Sequence, residues 1–264
     1  MSNTYGNWLK AQREAAGLTQ QELAIASIMT RSHISHIEAG RRIPSTEDAR
    51  RLDRALGTGN VLSSFLPNDD RTVAEHFEPA RQLEQQATMI REYAQTFVPG
   101  ILQTERYARA VLGAAFPPPP PSERDKNVVT RLERGKILNG SQNPVVWALL
   151  DEAVLRRPVG GPEVMAEQIA YLISLVEDGR IRVHVLPYAL GVHNLMGAML
   201  TLMWFEDQPP AAYSEGTATG RLFDSPPLVE VLQSRYDLAL SDALPLKESL
   251  TFLRATVREY QHHG

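Results

Sequence analysis

The first 60 residues carry closely spaced signals that start and stop short helices, and these signals limit how this region can fold. Gly17 suits the left-handed position that follows a helix. Thr19, with Glu22 three residues later, has the pattern of a capping box. Thr30 is placed to cap a third helix, which is predicted to end at Gly40. Several short helices separated by tight turns predict a compact helical bundle.

The third predicted helix has one apolar face and one small polar face. At 100° per residue, Ile34 and Ile37 lie close together and define its buried side. Ser32 lies opposite their midpoint, with Ser35 and His36 on either side of it. Small polar side chains on the outer face let a helix backbone approach the edges of DNA bases.

The same segment, "MTRSHISHIEAG", is also compatible with a plain solvated surface or with a metal site. Arginine, serine and histidine are typical of an ordinary solvated helix face. His33 and His36 lie three residues apart, which suits a metal, but a stable site needs at least one more ligand and the chain has no cysteine. The caps and spacing around the helix favour DNA reading, and we predict no metal site.

Two stretches of this region, "GLTQQELA" and "TRSHISHIEAGRRIPS", resemble the helix-turn-helix of the Xre and lambda-repressor-like regulators. The resemblance covers roughly residues 8–56. It implies that the third helix enters the major groove of DNA and that the second crosses the phosphate backbone. The family pattern "ISxIExGxRxP" is met at Ile34, Ser35, Ile37, Glu38, Gly40, Arg42 and Pro44.

Helix geometry and this resemblance together give a set of predicted DNA contacts. The third helix is predicted to contact bases, with Arg31 near its N-terminus reaching a guanine. Gln20 and the two arginines after the third helix are predicted to contact phosphates. The full set is Gln20, Thr30, Arg31, Ser32, Ser35, His36, Arg41 and Arg42.

Two further positions bear on this motif. The family carries a glycine in the turn before the third helix, whereas this chain has Ile28 there. Because a β-branched residue tolerates a positive φ poorly, we expect this turn to differ locally. Arg13 and Glu38 align with a pair that is often salt-bridged in the family, which implies a structural contact between the first and third helices.

The rest of the chain has a different organisation. Residues 67–72, "PNDDRT", are a predicted polar linker between a helix-turn-helix domain at 1–66 and a larger domain at 73–264. The stretch "EHFEPARQLEQQATMIREYAQTFVPGILQTERYARAVL" has helical periodicity that is broken at Pro99. From Pro144 onward strands alternate with helices, as in "RIRVHVLP" and "AMLTLMWF". We predict an α+β domain with a mostly antiparallel sheet.

Three stretches of the larger region, "VPGILQTERYARAVL", "WALLDEAVLRRPVGG" and "IRVHVLPYALGVHNLMGAMLTLMWF", are similar to the C-terminal domain of a large actinobacterial group of Xre-type regulators. That domain is of poorly defined function. Members are commonly encoded beside a small partner protein, in an arrangement likened to toxin–antitoxin pairs. The resemblance implies a transcriptional regulator controlled by protein contact. The alternative is an antitoxin-like interaction module in which DNA binding is secondary autoregulation.

The larger region also contains side chains of the types that catalytic sites use. Asp151, Glu152, His184, His193, Ser214 and Glu215 supply acids, bases and a hydroxyl. None of them lies in a nucleophile elbow, a metalloprotease helix motif or a phosphate-binding glycine loop. We therefore predict no enzyme, no catalytic residue and no cofactor. Aromatic residues offer a lining for a small-molecule effector, although aromatics on strands more often form core: Trp147, Tyr188, Trp204, Phe205 and Tyr213.

Charge and composition agree with a soluble regulator. Residues 1–66 hold eight basic and six acidic side chains, and the remainder holds 19 and 25, so a slightly basic head precedes an acidic body. The N-terminus has no signal-peptide pattern, and no apolar run approaches the ~18 residues of a membrane span. We predict a cytoplasmic protein that binds double-stranded DNA and no membrane.

One recognition helix offers little contact for discriminating DNA sequences. Two related helices would read two half-sites about one helical turn, ~34 Å, apart, which predicts a homodimer. The last predicted helix has an apolar seam that runs from Leu246 to Tyr260, and we expect it to supply the dimer contact.

Overall fold

The structure is a computed structural model that describes residues 4–66, 73–115, 117–139, 143–216 and 220–262. The chain divides into two compact units, of which the first is Met1–Thr88 with Leu200–Ser234 and the second is Met89–Met199 with Arg235–Gly264. The predicted linker at 67–72 lies outside the described residues. The domain boundaries at 1–66 and 73–264 stay a prediction.

The helices, in chain order, are α1 (Thr4–Ala15), α2 (Gln20–Ala26), α3 (Arg31–Glu38), α4 (Thr46–Leu56), α5 (Val61–Ser64), α6 (Val73–Glu84), α7 (Glu105–Gly113), α8 (Pro121–Gly135), α9 (Glu152–Arg156), α10 (Pro162–Glu177), α11 (Pro226–Ser241) and α12 (Leu246–His262). The strands are β1 (Met89–Ala94), β2 (Val145–Asp151), β3 (Ile181–Leu186), β4 (Met199–Trp204), β5 (Ala211–Glu215) and β6 (Gly220–Phe223). The predicted class, an N-terminal helical region followed by an α+β region, is confirmed.

The predicted helix caps of the N-terminal region are confirmed. The Thr19 hydroxyl accepts the N–H of Glu22 at 3.2 Å, and the Glu22 carboxylate accepts the N–H of Thr19 at 2.7 Å. The Thr30 hydroxyl accepts the N–H of His33 at 3.2 Å. These bonds satisfy N–H groups that the first turn of a helix leaves without partners, and so they fix where α2 and α3 begin.

The turn between α2 and α3 contains a strained residue. Ile28 has a φ of 57° and is the one non-glycine residue with a positive φ in the described part of the chain. It therefore takes the left-handed conformation that we expected a β-branched residue to avoid. The turn is closed by a hydrogen bond from the N–H of Met29 to the carbonyl of Ala24, at 2.8 Å.

Replacing Ile28 by glycine is expected to stabilise the protein by about 1 kcal/mol. The left-handed conformation costs an L-residue roughly 1–2 kcal/mol, and the extra flexibility of unfolded glycine offsets part of that gain. The Ile28 side chain is 80% exposed, so little burial is lost. Urea unfolding measures the change. Ile43, which is also 80% exposed, is the control: Ile43→Gly should destabilise, and an equal effect of both substitutions would contradict the account.

Parallel strands form the sheet of the second unit. β2 lies between β1 and β3 and pairs with both in parallel. Residues 89–94 were predicted to be helical, and this prediction is wrong. Ile90, Tyr93 and Ala94 are fully buried in β1 because a parallel strand is covered on both faces and shows no simple alternation. We predicted a mostly antiparallel sheet, and the sequence did not indicate these two parallel pairs.

The outer edge of β3 is protected by the segment that leads into α12. The N–H of Leu244 donates to the carbonyl of Val185 at 2.9 Å, and the Ser249 hydroxyl accepts the N–H of Val185 at 3.1 Å. The His184 side chain donates from Nδ1 to the Leu244 carbonyl at 3.0 Å. These bonds occupy backbone groups that an open strand edge would offer to another chain.

In the first unit, strands β4, β5 and β6 are neighbours in that order, and β5 pairs with β6 in antiparallel register. Residues 200–234 bring them into the first compact unit together with the N-terminal helices. The N–H of Thr88 donates to the carbonyl of Trp204 at 2.8 Å, which ties the segment after α6 to the end of β4.

The last helix packs on elements of its own unit. α12 packs along α10 and β3 of the same chain, and Leu253 on its apolar seam is fully buried there. The Tyr260 hydroxyl donates to the carbonyl of Leu155 at 3.0 Å. Part of this seam is therefore used inside the second unit, and the dimer contact that we expected of it stays a prediction.

Candidate nucleic-acid interface

The third helix is anchored by the two residues that the sequence placed on its buried side. Ile34 and Ile37 are 0% and 1% exposed, and α3 packs against α1 and α2. Burying an isoleucine side chain contributes roughly 1.5–3 kcal/mol. The two isoleucines therefore fix which side of α3 faces outward.

The outer side of α3 carries the predicted base-reading residues. Arg31, Ser32 and His36 are exposed, and Ser35 is half-buried. Thr30 is exposed as well, although its hydroxyl is already bonded to the N–H of His33. α3 therefore offers a small, polar surface with a guanidinium at its N-terminal end.

The predicted phosphate-binding arginines follow directly after α3. Arg41 and Arg42 have exposed side chains. Their backbone N–H groups both donate to the carbonyl of His36, at 2.9 and 3.2 Å. Gly40, with a φ of 68°, makes this tight ending. Neither these arginines nor Arg31 has an ion-pair partner among the described residues, so their guanidinium groups lie open to an anionic ligand.

Gln20 occupies a place different from the one predicted. Its side-chain amide donates to Oε2 of Glu38 at 2.8 Å, and the residue is half-buried. The same carboxylate accepts two bonds from Arg13, with Nε–Oε1 at 2.6 Å and Nη2–Oε2 at 3.1 Å. The predicted structural contact between Arg13 and Glu38 is confirmed, and Gln20 belongs to it. The phosphate contact of Gln20 stays a prediction.

The two histidines of α3 lie in different environments. His33 is half-buried, and its Nε2 lies 3.7 Å from Oδ2 of Asp48 on α4. His36 is exposed. Because Asp48 belongs to the next helix, the spacing within "RSHISHIE" carries no signal for this contact. His33 therefore faces α4, whereas His36 is open to solvent.

Sequence reasoning did not single out one exposed cation of the helical bundle. Arg50 of α4 is exposed and has no ion-pair partner within the described ranges. Its neighbours Arg51 and Arg54 both lie beside the Glu47 carboxylate, at 3.2 and 3.5 Å. The sequence "ARRLDR" contains all three arginines but does not indicate which ones an acid neutralises.

A buried carboxylate holds the end of the helical bundle. Asp53 is 1% exposed and accepts the N–H groups of Leu62 and Ser63, each at 2.8 Å, and the Thr58 hydroxyl at 2.6 Å. Burial raises the pKa of Asp53, while these hydrogen bonds act in the opposite direction. The bonds satisfy the first N–H groups of the short helix α5, whose own first residues offer no capping side chain.

A second acid of the first unit, Asp224, is half-buried and has fewer such bonds. Burial raises the pKa of its carboxyl to about 6, and a hydrogen bond from its own backbone N–H and the Arg221 guanidinium oppose this only in part. Its Oδ2 has no hydrogen-bond partner among the described residues. Since the folded pKa exceeds the unfolded value of about 3.9, the stability that this group contributes at low pH is lost as pH rises through about 6.

Asp224→Asn is therefore expected to raise the free energy of unfolding by about 2 kcal/mol at pH 7.5 and to change it little at pH 4. The gain is smaller than the full pKa shift implies, because the asparagine amide is also buried. Urea unfolding at both pH values measures it. Asp207 is exposed in the same unit and serves as the control. Equal gains at both pH values would contradict the assignment.

Some of the chemically active groups of the second unit meet in the structure. His193 Nδ1 accepts the N–H of Leu195 at 3.3 Å, so its other nitrogen carries the proton and bonds Oδ2 of Asp151 at 3.2 Å. Glu152 accepts the N–H of Tyr188 at 2.8 Å. Both acids thus anchor the loop after β3 to the end of β2, and both ring nitrogens of His193 are occupied by this task.

The aromatic residues of the predicted effector lining lie in unlike environments. Trp147 of β2 is flanked in register by Arg91 and Arg182, whose Cζ atoms lie 4.9 and 5.8 Å from its ring centre. Tyr213 is buried, whereas Tyr188 is 57% exposed. The stack around Trp147 is a set of cation–π contacts within the sheet.

The compact helices, the buried seam of α3 and its open polar face define a helix-turn-helix protein. A model of the helix-turn-helix domain matches residues 5–64. The chain belongs to the family defined by a domain of unknown function, DUF5753, which matches residues 77–255.

One curated relative is similar to the N-terminal region. It is described as an uncharacterized HTH-type transcriptional regulator of Methanothermobacter thermautotrophicus, and it is 39% identical over 62 residues. The match covers 24% of this chain and 90% of the relative. No solved structure matches the chain significantly. Within the described residues, no helix has the length and apolar character needed to cross a membrane.

Proposed function

We propose that this chain is a sequence-specific DNA-binding transcriptional regulator. The observation that carries the proposal is the outer face of α3, where Arg31, Ser32 and His36 are exposed while Ile34 and Ile37 hold the opposite side in the core. The match to the helix-turn-helix domain and the regulator name of the relative support it.

We assign different roles to the two groups of exposed residues. Arg31, in the first turn of α3, is placed to bond a guanine through its N7 and O6 atoms, and the small Ser32 lets the backbone come close. Arg41 and Arg42 follow α3 and would contact phosphates, which position the protein without reading sequence.

We further propose that the protein acts as a homodimer and that its larger region receives the regulatory signal without catalysing a reaction. Dimerisation would present two recognition helices to half-sites about 34 Å apart. A small protein partner is the signal that the family resemblance implies, and a small-molecule effector is the alternative. The bonds that occupy His193, Asp151 and Glu152 support a structural rather than catalytic use of these groups.

The direct test is a titration of the purified protein with DNA from around its own gene, against unrelated DNA at the same salt concentration. A specific regulator binds its operator typically 10³–10⁷-fold more tightly than unrelated DNA. The titration is repeated with the product of the adjacent gene. Equal affinity for both DNAs would overturn the proposal. Stable binding of the gene product without operator preference would favour the antitoxin-like alternative.

Arg41→Ala is expected to weaken binding to specific and unrelated DNA by the same factor. It should also lower the slope of log K against log salt by about one, since one phosphate contact is lost. Affinities measured across a salt series test this. Arg54 already lies beside Glu47, so Arg54→Ala is the control of equal charge change. A loss confined to operator DNA would show that Arg41 reads bases instead.

A further inference from the structure

One side of α1 packs against the region that the sequence assigned to a separate domain. Tyr5, Trp8 and Gln12 are spaced three and four residues apart and so lie on the same side of the helix. Trp8 and Gln12 have partners at Phe205 and Gln208, which belong to the same compact unit as the N-terminal helices.

An aromatic contact lies at the centre of this side. The Trp8 ring is fully buried between two phenylalanines. Its centre lies 5.3 Å from that of Phe65, which follows α5, and 5.7 Å from that of Phe205, which follows β4. The Phe205 ring meets Trp8 edge-on, at 82°, a geometry that aromatic pairs prefer.

Amide and charge contacts extend the same surface along α1. The Gln12 amide donates to Oε1 of Gln208 at 2.8 Å, and the Gln208 amide donates to Oε1 of Gln86 at 3.4 Å. At the other end of α1, the Tyr5 hydroxyl is buried, and its pKa is raised first by burial and then by Asp53 and Asp224. Trp8 and Gln12 therefore contact the segment that follows β4.

The same helix also holds the recognition helix. Arg13 follows Gln12 and bonds both carboxylate oxygens of Glu38, the last residue of α3. The two side chains are only 10% and 6% exposed. A shift of α1 must therefore either move the end of α3 or break a buried ion pair, and the second course is costly.

We propose that Phe205 and Gln208 are positioning residues for the recognition helix, so that the DNA-reading unit is discontinuous and includes residues 205–210 as a brace. Neither residue touches DNA in this account; both act through α1. The proposal rests on the function proposed above only in that α3 is taken to read DNA. The brace itself is a property of the fold.

The brace offers a route by which the larger region acts on the DNA-reading helices. Phe205 and Gln208 lie in the connection between β4 and β5. A change that moves this connection reaches α3 through two contacts in series, first with α1 and then through the Arg13–Glu38 pair, without passing through the linker at 67–72. Operator affinity then depends on the brace and not only on the exposed residues of α3.

The test uses the full-length chain with Phe205→Ala and Gln208→Ala combined. We expect operator binding to weaken by about tenfold, comparable to misplacing one base contact. Amide hydrogen exchange in α1 and α3 should become faster in the same variant without DNA. Phe252→Ala is the matched control, because Phe252 is a half-buried phenylalanine of the second unit that packs on Arg156. It should change neither the operator affinity nor the hydrogen exchange of α1 and α3.

Unchanged exchange in α1 and α3 together with unchanged operator affinity would overturn the brace. If the wild-type chain prefers no DNA, the proposed function fails, but faster exchange in the variant still supports the brace. If the double variant does not fold, Gln208→Ala alone replaces it, with about a threefold loss of affinity expected from one hydrogen bond. No loss in that folded variant, with exchange unchanged, would equally overturn the proposal.

Discussion

Replacing Arg13 by alanine is expected to destabilise the first compact unit by about 3–5 kcal/mol, because it leaves the Glu38 carboxylate buried without its main partner. Glu38 is 6% exposed in its side chain and accepts two bonds from Arg13. The bond from Gln20 comes from a neutral amide, which is too weak to replace a charged partner. Urea unfolding of the variant measures the loss.

Arg51→Ala is the matched control for this prediction. Arg51 also pairs with a glutamate in the same unit, but the two side chains are 37% and 55% exposed, so we expect a loss of about 0.5 kcal/mol or less. If both arginine variants lose the same small amount of stability, the buried pair does not hold α1 to α3.

The combined change Arg31→Ala and His36→Ala is expected to lower the preference for operator over unrelated DNA by roughly 100-fold. Each good base contact contributes about 1–3 kcal/mol of discrimination, and the two side chains are exposed on the outer face of α3. Their loss should leave folding unchanged, because neither side chain is buried. Competition binding with operator and unrelated DNA measures the ratio.

His33 provides the contrast for this prediction. It belongs to the same helix but is half-buried beside Asp48. His33→Ala is expected to lower the free energy of unfolding while leaving the preference for operator over unrelated DNA intact. If His33→Ala lowers that preference as strongly as the double variant does, the division of α3 into a reading face and a packing face is wrong.

Local signals in the sequence predicted the helical bundle well, because caps and buried seams are local features. Thr19, Thr30 and Gly40 bound helices where the pattern placed them, and Ile34 and Ile37 are buried as their spacing required. Alternation also identified β3, since that strand has one exposed face at Arg182.

The errors of prediction arise where long-range contacts decide the outcome. Residues 89–94 have the pattern of a helix because a strand buried on both faces lacks the alternating signal, and only its pairing with β2 makes it a strand. Ile28 adopts a positive φ that its side chain opposes, because the surrounding helices fix the turn. No local pattern indicates that Gln208 bonds Gln12, which lies 196 residues away.

The candidate interface was predictable in its position and less so in its detail. The exposed residues of α3 follow from the helix period. Gln20, by contrast, is taken up by Glu38, and the open cation on α4 is Arg50 rather than either of its arginine neighbours. Which charges have a partner depends on the conformations of neighbouring side chains, and the sequence alone does not indicate these conformations.

The most direct test of the central claim is a base-by-base profile of operator binding, in which each base pair of the operator is changed in turn. The profile is measured for the wild-type chain and for Arg31→Ala. The account predicts that the variant loses its mismatch penalty at one position of each half-site and keeps the others. If Arg31→Ala lowers the mismatch penalty evenly at all positions, or changes it at none, α3 does not read the sequence through Arg31.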